Sequence, residues 1–307
     1  MRRIAITNQK GGVGKTTTAA NLGAALAMLG RRVIAVDLDP QANLTLHFGG
    51  DPSSSGRSTY TLLRGECSFA ELLLPTEFRH LRLAPATVDL AGIELELANT
   101  VGRETILRDA IEAFANGVAA PGRVEGEVLL PAAARPEPGS RSPADFLLFD
   151  CPPSLGVLSL NALVAADEVL LPLQAEFLAL QGVSRLLEVI ELVRRRLNPA
   201  LSITGVLACM VNPRTNLSTE VLGELRSFFG ETLFETRIRE NVRLAEAPSH
   251  GKSIFTYAAD SKGAADYLGL ATELLDRAKK RAPRERAPSP APVVSSPGAA
   301  PGPRPPV

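Results

Sequence analysis

Short apolar runs alternate along the chain with longer stretches in which apolar residues recur every three or four positions. The runs at 2–7, 32–40, 81–85, 146–150, 168–173 and 202–211 read as strands. Continuous apolar character, as in Ile4-Ala5-Ile6 or Phe146-Leu147-Leu148-Phe149, marks strands buried on both faces. Between the first two, Ala19, Leu22, Ala25, Leu26 and Leu29 predict a helix over 16–29, stopped by Gly30. Further helices are expected over 59–63, 69–74, 90–97, 105–114, 178–197, 219–229 and 264–280, with a short strand at 235–238. Strands alternating with helices in this way specify an α/β fold. Its sheet is mostly parallel, joined by right-handed crossovers and covered by helices on both faces.

Two segments break the pattern. Residues 117–144 lose all periodicity and hold Pro121, Pro131, Pro136, Pro138 and Pro143 among glycines and arginines, so they read as a disordered insertion. From 283 to 307 proline, alanine, serine and glycine dominate, a composition that cannot bury a core and predicts a flexible tail. What remains is one domain within residues 1–282. With 45% apolar and 21% charged residues the composition is that of an ordinary globular chain. No apolar run approaches the ~20 residues of a membrane span, and Met1-Arg2-Arg3 leads straight into a strand, so a cytoplasmic location is expected. Cys67, Cys151 and Cys209 are scattered without metal-ligand spacing. Thirty-three basic residues balance 33 acidic ones, so any nucleic-acid binding must come from a local patch.

The chemistry gathers where strands end. Between the first strand and first helix stands Asn8-Gln9-Lys10-Gly11-Gly12-Val13-Gly14-Lys15-Thr16-Thr17-Thr18. Glycines there let successive backbone N–H groups turn inward on an anion at a helix N-terminus, which is a phosphate-binding loop. Residues Gly11 to Thr17 would cradle a nucleotide, Lys15 would reach its β- and γ-phosphates, and Thr16 could ligate Mg²⁺. The common G-x-x-x-x-G-K-[ST] spacing would require glycine at position 9; the chain has Gln9 and, next to it, a second lysine, Lys10. The second strand ends in Asp37-Leu38-Asp39, whose alternation sends both carboxylates to one face. Asp150 ends a four-residue apolar run, the Walker-B arrangement for a carboxylate that holds Mg²⁺.

Lys10-Gly11-Gly12-Val13-Gly14-Lys15-Thr16-Thr17, together with Asp37-Leu38-Asp39-Pro40-Gln41 and Asp150-Cys151-Pro152-Pro153-Ser154-Leu155-Gly156, resembles the deviant P-loop ATPases of the ParA/MinD group. The segments at 211–218 and 241–251 narrow the resemblance to short Soj-like ParA partition ATPases. The resemblance implies an ATP/ADP and Mg²⁺ site in which Asp39 orients the attacking water and Asp37 supports the metal shell. It also implies an ATP-sandwich homodimer in which Lys10 reaches the partner's phosphates, as an arginine finger does. Asn212 would read the adenine amino group or else cap a turn. Arg214 and Arg243 match the positions that bind DNA without sequence preference, with solvated surface arginines as the alternative. A ParB-type partner would stimulate slow hydrolysis. One departure stands out: Arg239-Glu240-Asn241 replaces the family's Pro-Arg-Asn. With the first strand starting at residue 2, a separate helix-turn-helix module is not expected.

The alternative reading is a MinD-like, membrane-associated division regulator. It needs an amphipathic C-terminal segment with bulky apolar residues. Here Leu268, Ala271, Leu274 and Leu275 suit docking on the domain, and the tail beyond Arg281 has no Phe, Trp, Leu or Ile, so a membrane is a disfavoured partner. A reductase or amidoligase relative is a third reading, and the scattered cysteines argue against the reductase.

Overall fold

The computed structural model describes residues 1–54, 56–117, 143–176 and 179–280. In chain order they form β1 (Arg2–Ile6), α1 (Lys15–Met28), β2 (Val33–Asp37), α2 (Asn43–His47), α3 (Thr59–Leu63), β3 (Leu74–Pro75) and β4 (Leu81–Ala84). Next come α4 (Ile93–Glu96), α5 (Ile106–Ala115), β5 (Phe146–Asp150), α6 (Val157–Ala165), β6 (Glu168–Gln174) and α7 (Ala179–Arg196). The chain continues through β7 (Ser202–Cys209), α8 (Asn216–Phe229), α9 (Val242–Glu246), α10 (Ile254–Tyr257) and α11 (Lys262–Lys280). Most of the expected insertion and all of the expected tail lie outside the described residues.

The strands form one sheet in the order β3-β4-β2-β5-β1-β6-β7. Every pairing is parallel except that of β3 with β4. Period-two alternation divides the core. Ile4, Ile6, Val33, Ala35, Phe146 and Leu148 face one layer, built on α1 and α11. Ala5, Ile34, Val36, Leu147, Phe149 and Leu171 face the other, built on α5, α6, α7 and α8. The expected α/β architecture, with helices on both faces, is the one observed. Ion pairs fasten the amino ends of the strands: Arg2–Glu168 at 2.7 Å, Arg3–Asp167 at 2.7 Å and Arg32–Asp145 at 2.8 Å. The carboxyl ends, at the opposite rim, are left for ligands.

Three local expectations change. Residues 69–74 are turns leading into β3 rather than a helix, because Pro75 disfavours helical geometry at the residue before it. Residues 235–238 run beside β7, with Phe234 N–H bonded to the Val206 carbonyl and Ile238 N–H to that of Ala208. They do not form a ladder, because the Glu235 and Thr236 N–H groups instead donate to the Glu273 carboxylate at 2.9 and 2.8 Å. Helix α6 has no counterpart in the sequence reading. It is apolar nearly all round and buried, so it lacks the one-sided stripe that betrays a surface helix.

His47, on α2, is 1% exposed and neither ring nitrogen has a hydrogen-bond partner. Burial pushes its pKa down to about 4. The folded state therefore holds the ring neutral, and the stability this contributes is complete above the unfolded pKa near 6.5 and lost as pH falls toward 4. Between pH 7 and pH 5 the loss is about 2 kcal/mol. His47→Leu should flatten the wild-type pH dependence of denaturant unfolding by that amount; parallel curves for the two proteins would refute it.

Candidate functional site

The loop after β1 is held open from both ends. Asn8 donates its Nδ2 to the Pro172 carbonyl at 2.7 Å, and its Oδ1 accepts from the Lys10 amide at 3.0 Å. Gly12 and Gly14 have φ of +73° and +91°, a conformation costly for residues with a Cβ. A Cβ placed on Gly11 or Gly12 would meet nothing within 4 Å, so the approach to the backbone is clear. Gly14 begins α1 with no side-chain cap. An uncapped helix N-terminus behind a glycine loop offers N–H donors and a positive dipole end to an anion.

The two loop lysines differ in kind. Lys15 is 7% exposed, and its Nζ donates back to the Lys10 carbonyl at 3.2 Å. Burial lowers its pKa, while Asp150 and Asp39 pull it up. Lys10 points outward. Its side chain is 54% exposed, 2.6 Å from the Glu176 carboxylate and 3.2 Å from Gln174 Oε1. Gln9, at the position where the common loop has glycine, buries its Nε2 without a partner.

Asp37 and Asp150 are register partners on the adjacent strands β2 and β5, and both are completely buried. Asp37 is fully engaged. Its Oδ2 accepts from the Thr45 amide at 2.8 Å and the Thr45 hydroxyl at 2.7 Å, and its Oδ1 accepts from the Asp39 amide at 3.1 Å. Burial nonetheless raises its pKa to about 6. Asp150 is the reverse: neither oxygen makes a hydrogen bond of good geometry. Burial, then Asp37 and Asp39, hold its pKa well above the usual carboxylate range, and the nearby Thr16 hydroxyl and Lys15 ammonium offset only part of this. Asp39 is 7% exposed, and its Oδ1 accepts from the Gln41 amide at 2.9 Å. The turn that follows places Ala42 at φ +50°.

Thr16, Lys15, Asp37, Asp39 and Asp150 are thus assembled at one rim. An orphaned buried carboxylate beside an uncapped glycine loop fits Mg²⁺ with a nucleotide phosphate tail. Among the described residues no three His, Cys, Asp or Glu side chains gather into a metal cluster.

Asn212 stands past β7, where Val211 pairs with Arg239. Its Oδ1 accepts from the Arg214 amide at 3.1 Å and its Nδ2 reaches Glu240 Oε2 at 3.4 Å, so it caps a turn in this state. Arg214 is exposed. Arg243 is exposed and paired with Glu246 at 3.0 Å. Arg239 is committed to Asp266. Sequence reasoning missed Asn8, Thr45 and Glu176. An acid at the carboxyl end of β6 was a readable signal for Glu176, whereas nothing near Thr45 in the chain points to Asp37.

An unpartnered buried carboxylate weakens the nucleotide-free fold. Because folding raises its pKa, the penalty is absent below the unfolded value near 4 and grows as pH rises. Asp150→Asn should therefore stabilise the nucleotide-free protein by about 1–3 kcal/mol, or several degrees in Tm, with a larger gain at pH 8 than at pH 5. Calorimetry checks this, and a lower Tm for the variant at pH 8 would contradict it.

A family model described as an AAA domain matches residues 1–117 and 141–203. The chromosome partitioning protein ParA of Myxococcus xanthus is 44% identical over 285 residues, 93% of this chain and 92% of that one. The chromosome-partitioning ATPase Soj of Thermus thermophilus is 46% identical over 280 residues, covering 91% and 98%. Among solved structures, cobyrinic acid a,c-diamide synthase from Mycobacterium smegmatis, with bound ATP analog and magnesium, superposes with a TM-score of 0.73. It is 35% identical, over 91% of this chain and 96% of that one. The cell division ATPase MinD of Pyrococcus furiosus gives 0.67 at 26% identity, over 90% and 98%. With the deviant loop, the carboxylate-bearing strand ends and this likeness along nine-tenths of its length, the chain belongs to the ParA/Soj family of P-loop ATPases.

Proposed function

We propose that this protein is an ATP-switched DNA-partition ATPase that works as a nucleotide-sandwich homodimer. The observation that carries the proposal is the opposite orientation of the two loop lysines. Lys15 is buried against its own loop, whereas Lys10 stands exposed and meets Gln174, at the end of β6, and Glu176 just beyond it. A cation presented outward from a phosphate loop suits the phosphates of a facing subunit better than its own.

Gly11, Gly12, Val13, Gly14, Lys15, Thr16 and Thr17 bind the phosphate tail, and Asn212 with its turn lies toward the base. Thr16 and Asp150 would hold Mg²⁺, with Asp37 supporting them, and the ion would supply positive charge to offset that of the phosphates. Asp39 orients the attacking water, and the partner's Lys10 stabilises the charge that develops in the transition state. Sandwich formation would then depend on ATP and bring Arg214 and Arg243 of both subunits onto one phosphate-binding surface. A ParB-type partner would accelerate hydrolysis and release the DNA. The relatives named for chromosome partition support this reading.

The structural likeness to a diamide synthase does not displace it. All three cysteines of the chain are buried, and burial raises every one of their pKa values, that of Cys209 up to about 12. A nucleophilic thiol needs the opposite shift. Nor is α11 free to lie on a membrane. Its Tyr267, Leu270, Ala271 and Leu274 are buried against the layer containing α1, and among the described residues no helix is long and apolar enough to cross a bilayer.

The test is retention of a random-sequence DNA duplex with ATP against ADP at low salt. Wild type should bind with ATP and lose affinity steeply as salt rises. Lys10→Ala should abolish the ATP dependence, and Arg214→Ala with Arg243→Ala should weaken binding at least ten-fold while leaving nucleotide affinity intact. Equal DNA binding by all three proteins would overturn the proposal.

A further inference from the structure

We propose that Thr45 is a positioning residue for hydrolysis, acting through Asp37 on the backbone of Asp39. The inference rests on the reading of Asp39 as the group that orients water. Its geometric basis is a chain of buried hydrogen bonds. The Ala86 N–H, just past β4, donates to Thr45 Oγ1 at 2.9 Å. That hydroxyl donates to Asp37 Oδ2 at 2.7 Å, and the Thr45 N–H donates to the same oxygen at 2.8 Å. Asp37 Oδ1 then accepts from the Asp39 N–H at 3.1 Å. Thr45 is 1% exposed and Asp37 0%, so no solvent competes for these bonds.

The hydroxyl has only one proton. Because the Ala86 amide can only donate to it, the hydroxyl is left to donate to Asp37. Polarity along the chain is thereby fixed from Ala86 through Thr45 to the carboxylate. Asp37 in turn binds both ends of the turn that carries Asp39, through the Asp39 amide on one side and the first turn of α2 on the other. Between those ends lies the φ +50° conformation of Ala42. A non-glycine residue in that region persists only when its surroundings over-determine it; the Asp37 clamp is part of that surrounding, with the Ala42 N–H bonded to the Asp39 carbonyl at 2.8 Å. The direction of the Asp39 carboxylate follows from the backbone it stands on.

Asp37 accordingly acts as a clamp on the backbone with no oxygen lacking a donor, in contrast to Asp150, whose two oxygens are open. Of the two carboxylates, Asp150 is the one suited to direct metal contact. Asp37 and Thr45 together set the placement of Asp39, on which orientation-dependent rate depends.

Thr45→Ser, Thr45→Val, Thr45→Ala and Asp39→Ala should be compared with wild type, each at a temperature where circular dichroism shows it folded. Steady-state ATP hydrolysis, affinity for a fluorescent ATP analogue and amide exchange of the nucleotide-free protein are measured. The proposal predicts that Thr45→Val and Thr45→Ala lower kcat at least ten-fold, with KM and analogue affinity changed less than three-fold. Amide exchange should quicken at 38–46 and 85–87. Thr45→Ser should restore both the rate and the protection. An unchanged kcat in Thr45→Val, or loss of rate only in step with loss of analogue affinity, overturns it. If Thr45→Val does not fold, the same comparison is decided by Thr45→Ala against Thr45→Ser. If Asp39→Ala itself hydrolyses ATP at the wild-type rate, the underlying assignment of Asp39 fails, whatever the Thr45 variants do.

Discussion

The structure depends on two carboxylates placed side by side in the dry interior of a parallel sheet. Parallel pairing of β2 with β5 aligns Asp37 with Asp150 at the rim where the strands end. Two anions so close and so buried repel one another and lose their hydration. The fold resolves this unequally. Asp37 receives three hydrogen bonds, and Asp150 receives none of good geometry. Lys15, drawn inward from the loop, supplies a nearby positive charge that favours Asp150 as an anion, and it is itself penalised by burial. The site therefore stores an unfavourable arrangement that a metal–phosphate ligand would relieve, and this ties the glycine loop, the two strand ends and α2 into a single unit.

That unit is anchored from the opposite rim. Ion pairs at the amino ends of β1, β2, β5 and β6 fix the strands at the rim away from the glycine loop. The buried layer on one face of the sheet holds α1, with its N-terminus at the loop. Contacts also run outward from the site. The turn after α2, at Gly49, approaches the loop before α10 so closely that a Cβ on Gly251 would sit 3.0 Å from the Gly49 Cα.

Much of this was readable in the chain. Glycines at fixed offsets, Lys15 and Thr16 define the phosphate loop because its geometry admits few other residues. Four apolar residues ending in Asp150 announce a buried strand with a carboxylate at its rim. The resemblance of the partition-type segments to known ATPases then gave the family. What was hidden depends on partners far away in sequence. The role of Asp37 is set by Thr45, eight residues on, and by Ala86 on another strand end. Residues 235–238 fail to form a strand because Glu273, on α11, takes their amides. Helix α6 shows no stripe because apolar neighbours surround it. The pairing of Lys10 with Glu176 joins two strand ends that only the sheet order brings together.

On the proposed reading, the loop and the Asp150 carboxylate form one site for a nucleotide with Mg²⁺. Its most direct test is the affinity of the nucleotide-free protein for a fluorescent ATP analogue, titrated with Mg²⁺ and again with EDTA, in wild type and in Asp150→Asn. Mg²⁺ should tighten binding to wild type at least ten-fold and have little effect on the variant. Equal enhancement by Mg²⁺ in both proteins, or none in wild type, would contradict it.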